Sequence, residues 1–105
     1  FDFNKSTLNE RYAAITDSLT DKIIARNPEQ VFISGHTDNV GSDEFNLKLS
    51  LARAETIKQV LIQKGMDARK IVCEGLGEMW PVADNDTENG RAKNRRIEVV
   101  LIFKE

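Results

Sequence analysis

Leu8, Tyr12, Ile15, Leu19 and Ile23 recur at steps of four and three, which marks one stripe of a helix that has to stop before Pro28. Ser6 or Thr7 can cap that helix by accepting hydrogen bonds from the free N–H groups of its first turn, and Phe1-Asp2-Phe3 ahead of it alternates like the end of a strand. Val31-Phe32-Ile33 is a compact run of β-formers that ends at Gly35, so a largely buried strand is predicted from about Gln30 to His36. Turn chemistry through Gly41-Ser42-Asp43 leads into a second helix, from Asp43 or Glu44 to Lys64, with Gly65 as its stop. Leu47, Leu51, Ala54, Ile57 and Leu61 form its expected core stripe, with Val60 flanking. Asn46, Ser50 and Arg53 fall at i, i+4 and i+7 and make a polar stripe that borders those leucines.

A strand over about Lys70 to Glu74 follows, then a turn-rich segment from Gly75 to Gly90 that reads as an ordered excursion, a length at which function becomes more frequent. Arg91-Ala92-Lys93-Asn94 is compatible with a short helical turn. From Arg96 to Phe103 the pattern alternates, with Ile97, Val99, Leu101 and Phe103 on a wholly apolar face and Glu98, Val100 and Ile102 on the other. The predicted order is β-α-β-α-β-loop-β, an α/β sandwich in which two main helices pack on a mixed four-stranded sheet. The chain has no internal repeat, linker or low-complexity tract and is read as a single domain over residues 1–105.

With 40% hydrophobic and 30% charged residues, the composition is that of an ordinary globular domain, and no apolar run approaches the ~20 residues of a membrane span. Fifteen basic against seventeen acidic residues give a net charge of -2, which leaves no positive excess to hold a nucleic acid backbone. The single Cys73, inside Ile71-Val72-Cys73, reads as a small buried hydrophobe and can form no internal disulfide. The chain begins at Phe1 with neither a methionine nor a signal-type segment, so a piece excised from a longer protein is expected.

The chemistry concentrates in Gly35-His36-Thr37-Asp38-Asn39-Val40-Gly41 and the helix behind it. Asp38 lies just past a strand, where ligands of open α/β sheets commonly sit, and the next helix carries Arg53. A guanidinium can fork onto a carboxylate while an acid accepts from an ammonium, so the pair suits a zwitterion. The alternative is structural: Asp38 caps a turn or the helix and pairs with Arg53 itself.

These residues, with Asn46, Leu49-Ser50, Arg53-Ala54 and the run Asn94-Arg95-Arg96-Ile97-Glu98, resemble the OmpA-like C-terminal domain over nearly all of the chain. That resemblance implies non-covalent binding of peptidoglycan through the meso-diaminopimelate of its stem peptide, with Asp38 and Arg53 holding the free amino-carboxylate end. It also implies ligand-site roles for Thr37, Asn46, Arg95 and Asn4. Arg96, on the opposite face of the strand from Arg95, is expected to be an outward or structural charge. The implied location is the periplasmic side of a Gram-negative envelope, with attachment to the outer membrane through upstream residues. No cofactor is implied.

Other readings stay open beside this one. An enzyme has only carboxylates to work with, Asp38 with Asp43 or Glu44, and these sit in a turn expected to be solvated and so without a means of raising an acid's pKa. His36 has no partners at metal-ligand spacing, and no metal site is expected. Gly75-Leu76-Gly77-Glu78 lacks the third glycine of a dinucleotide turn, since Trp80 stands there, and resembles instead the family's G-x-G-E turn before a proline, here Pro81. Trp80 is expected to pack under the long loop, or else to serve a protein partner in an envelope complex, which is the docking alternative.

Overall fold

A computed structural model of the protein describes residues 10–104. The middle of its sheet is β1, Gln30–His36, which pairs in parallel with β2, Ile71–Gly77, and antiparallel with β3, Ile97–Ile102. The register sets Val31 between Ile71 and Leu101, and Ile33 between Cys73 and Val99. Alternate residues of a strand point to opposite faces, so one face of this sheet is apolar and takes the helices. The sheet is mixed as expected and has three strands among the described residues; the strand expected at Phe1-Asp2-Phe3, the cap at Ser6 or Thr7, and Leu8 lie outside them.

Helix α1 spans Glu10–Arg26 and ends before Pro28, with Asn27 in the left-handed region at φ 48°. Of its apolar stripe only Ile23 is buried among the described residues; Tyr12, Ile15 and Leu19 are exposed, whereas Thr16 and Thr20 are buried. Thr20 can face inward because its hydroxyl is satisfied within the helix, donating to Thr16 O at 2.8 Å. Lys64, at the end of α2, ties the two helices by reaching Asp17 and Asp21, each at 2.7 Å.

Helix α2, Asp43–Gln63, has Ser42 as its N-cap, accepting from Phe45 N at 3.1 Å. Its C-terminal half follows the expected stripe, with Ala54, Ile57 and Leu61 in the core beside Ile23, Val31, Ile33 and Ile71. Its N-terminal half is rotated away from that expectation: Leu47 and Leu51 are 42% and 41% exposed, while Asn46, Ser50 and Arg53 are buried. The cause is close approach. A Cβ on Gly35 would lie 1.8 Å from Ser50 O, and one on Gly75 would lie 2.7 Å from Leu47 O, so the helix rests directly on bare strand backbone. No leucine fits in that gap. Ser50 fills it and accepts from Gly77 N at 2.9 Å.

The segment from Gly75 to Gly90 is shorter as a loop than expected, because β2 runs on to Gly77 and α3, Glu88–Asn94, begins before it ends. Buried Asn94 shapes what remains: its Oδ1 accepts from Val82 N at 2.8 Å and Ala83 N at 3.0 Å, and its Nδ2 donates to Ala83 O at 3.0 Å. Trp80 does not pack beneath this loop; it is 63% exposed. Cys73 is half-buried against the core, and burial pushes its thiol up to about 11. In β3 the expected alternation holds from Ile97 to Ile102, with Ile97, Val99 and Leu101 toward the core and Glu98, Val100 and Ile102 exposed, but the strand ends there and Phe103, expected on the apolar face, is exposed. No helix among the described residues is long and apolar enough to cross a membrane.

Candidate ligand-binding site

Beyond β1 the backbone is pinned on both sides, since His36 N donates to Arg96 O at 2.9 Å and Thr37 N donates to Gly77 O at 2.9 Å. Thr37 Oγ1 and Asn46 Nδ2 both donate to the carbonyl of Asp38, at 2.9 and 3.3 Å. Asp38 then receives Val40 N on Oδ1 at 3.0 Å, which closes a short turn around its own carboxylate. Of the three acids expected in a solvated turn, Asp43 and Glu44 are exposed, but Asp38 is buried to 4% exposure, with Thr37 and Asn46 buried beside it.

Two guanidiniums converge on this acid from different elements. Arg95, the residue that caps α3, donates from Nη1 to Asp38 Oδ2 at 2.8 Å and from Nη2 to Glu88 Oε1 at 2.6 Å. Arg53 arrives from the buried face of α2 with no exposed surface and donates from Nη1 to His36 O at 3.0 Å. The structural pair considered for Asp38 and Arg53 is thus not the one observed, because the partner of Asp38 is Arg95. Arg53 still feels the site: burial lowers its pKa to about 10, Arg95 adds to the lowering, and Asp38 opposes it. For Arg95, burial works downward, yet the hydrogen bonds to Glu88 and Asp38 outweigh it and raise the pKa.

Five of the six residues singled out from the sequence, Thr37, Asp38, Asn46, Arg53 and Arg95, are therefore gathered at the end of β1. Asn4 lies outside the described residues. Among the described residues the site has hydrogen-bonding capacity left over, because Asn46 Oδ1 and Arg95 Nε are buried there without a partner. A buried acceptor, a buried donor and charges of both signs together suit a small ligand that carries both an ammonium and a carboxylate.

Glu88 was missed from the sequence. It stands at the first position of α3, and seven residues on a helix bring it over Arg95, a spacing that was available as a signal. Burial of Asp38 and partial burial of Arg95 make their ion pair more consequential than a surface one.

The opposite side of the strand end carries a separate polar group. His36 is buried, with Nε2 3.0 Å from Glu98 Oε2 and 3.2 Å from Ser34 Oγ. Its pKa is lowered by burial and then by Arg96, against the opposing pull of Glu98 and Glu74. Arg96 is the structural charge expected of it, donating to Glu98 Oε2 at 2.7 Å and to Trp80 O at 2.8 Å. Among the described residues no group of three or more His, Cys, Asp or Glu side chains is placed to hold a metal ion.

Residues 1–95 match the OmpA family. Outer membrane protein A of Bordetella avium is 39% identical over 102 residues, which cover 97% of this chain and 53% of that protein. The peptidoglycan-binding protein ArfA of Mycobacterium bovis is 41% identical over 87 residues, 83% of this chain and 27% of ArfA. The chain thus spans about half the length of the first of these relatives and much less of the second. Among solved structures, the peptidoglycan-associated lipoprotein from Burkholderia pseudomallei superposes with a TM-score of 0.84 at 30% identity, covering 95% of this chain and 85% of that one.

Proposed function

This chain belongs to the OmpA family, a non-enzymatic one, and from that membership we propose that it binds peptidoglycan non-covalently, anchoring an outer-membrane or envelope protein to the cell wall. The ligand is the meso-diaminopimelate of the stem peptide, read by its free amino-carboxylate end. Asp38 takes the ammonium, Arg53 and Arg95 face the carboxylate, and Thr37 and Asn46 hold the turn that presents the acid; Asn4 belongs to the same proposal. The observation that carries this reading is the meeting of one buried acid and two guanidiniums beside Asn46 Oδ1 and Arg95 Nε, which have no partner among the described residues. A relative and a neighbour whose names refer to peptidoglycan support it. Peptidoglycan lies in the periplasm, and so would this binding surface.

Affinity at one site need not be high, because the wall presents the same peptide many times and tethering raises its effective concentration. The test is sedimentation with purified diaminopimelate-type sacculi, backed by binding of a stem peptide containing diaminopimelate and of its lysine counterpart, which lacks the second carboxylate. Wild-type protein is expected to pellet and to prefer the first peptide. Asp38→Asn, which keeps an acceptor for Val40 N, is expected to weaken binding about tenfold to a hundredfold through loss of a charge-assisted bond. A folded Asp38→Asn variant that pelleted like wild type would remove the assignment.

The docking alternative rests on the exposure of Met79, Trp80 and Val82 on one loop. Wild-type protein that ignored both peptides would favour it.

A further inference from the structure

Arg95 is shared between two acids, one inside the site and one at its rim. Asp38 takes Nη1 at 2.8 Å, and Glu88, whose side chain is 65% exposed, takes Nη2 at 2.6 Å. Glu88 is held in place from its other oxygen as well, where Oε2 accepts from Arg91 Nε at 3.2 Å, and Arg91 in turn donates to Asn85 O at 2.9 Å. Its own pKa is lowered by the hydrogen bond from Arg95 and then by that from Arg91, so it is ionised at neutral pH. A fixed carboxylate thus counterbalances the guanidinium from the side away from Asp38.

The consequence is electrostatic. With Glu88 in place, Arg95 divides its attraction between two anions, and the Asp38 carboxylate keeps capacity for an incoming ammonium. Without that charge, Arg95 would be balanced by Asp38 alone. The acid would then be less open to an ammonium, and the guanidinium more open to a bare carboxylate. Both changes favour an anion over a zwitterion.

We propose that Glu88 is the charge-selectivity residue of this site, a positioning residue that acts through Arg95 so that the site takes an amino-carboxylate head in preference to a carboxylate alone. The proposal rests on the function proposed above and adds to it the element that tunes the preference of the site. Nothing in the side chain of Glu88 needs to touch the ligand.

The experiment compares two probes, meso-diaminopimelate and pimelate, which is the same carbon chain with both carboxylates and neither amino group. Their dissociation constants are measured by NMR titration for wild type and for Glu88→Gln, which keeps the shape and an acceptor oxygen but removes the charge. Thermal melts establish that both proteins are folded. Wild type is expected to prefer diaminopimelate, and Glu88→Gln to shift the ratio toward pimelate by about threefold to fivefold, the range an exposed ion pair can carry. A merely structural role would weaken both ligands by one factor and leave the ratio unmoved, which overturns the proposal. A ratio shifted toward diaminopimelate overturns it equally. Wild-type protein that took up neither probe would bring down the proposed function itself, and this inference with it.

Discussion

Arg53 Nη1 donates to the carbonyl oxygen of His36 at 3.0 Å, a bond that ties the buried face of α2 to the last residue of β1. One guanidinium therefore serves the framework, and under the proposed function it serves the ligand as well. Its removal is expected to cost stability as well as binding, because a buried carbonyl would lose its donor. Arg53→Met, which keeps the apolar stem, is expected to lower unfolding free energy by about 1 to 3 kcal/mol, measured by urea denaturation. An unchanged midpoint would mean that the cost of burying the guanidinium cancels its bond to His36.

The contact of α2 with the sheet is set by backbone on both sides, and Gly35 is where it is tightest. An alanine Cβ there would meet Ser50 O at 1.8 Å, an atom that no rotamer change can move. Gly35→Ala is expected to destabilise the fold by about 3 kcal/mol or more, or to prevent folding. A denaturation midpoint within about 0.5 kcal/mol of wild type would show that the helix can lift off the strand without penalty.

His36 makes stability depend on pH in a defined direction. Its folded pKa lies below the ordinary 6.5 because it is buried and faces Arg96, with Glu98 and Glu74 opposing. Below 6.5 the unfolded chain therefore binds a proton more readily than the native one, so its contribution to stability is present above 6.5 and drains away as pH falls from there. Thermal melts at a series of pH values should show wild type losing stability toward acid more steeply than His36→Asn below 6.5, and in parallel with it above. Parallel curves throughout would mean that Glu98 holds the imidazole well enough to offset its burial.

Asp38 and Arg53 stood out in the sequence by residue type and position, Thr37, Asn46 and Arg95 only by resemblance to the OmpA-like domain, and the structure gathers all five at the end of β1. Their pairing was not visible, since Asp38 and Arg95 are 57 residues apart and strand periodicity says nothing about which acid a guanidinium will meet. Glu88 escaped notice because α3 has only seven residues, too few for an apolar stripe to announce a helix. Trp80 was expected to pack because large aromatics usually do. The loop is instead pinned by the side-chain amide of Asn94, which leaves the indole outside.

By itself the sequence determined the extents of β1 and α2 and the alternation along β3, because these follow from β-propensity, caps and side-chain direction within one stretch of chain. Tertiary structure alone decided which face the N-terminal half of α2 turns inward. Periodicity marked Leu47 and Leu51 for the core, but Gly35 and Gly75 let two backbones approach until only small or polar side chains fit between them. That same approach carries Arg53 to the end of β1 and under the acid, where the charges can act on one another.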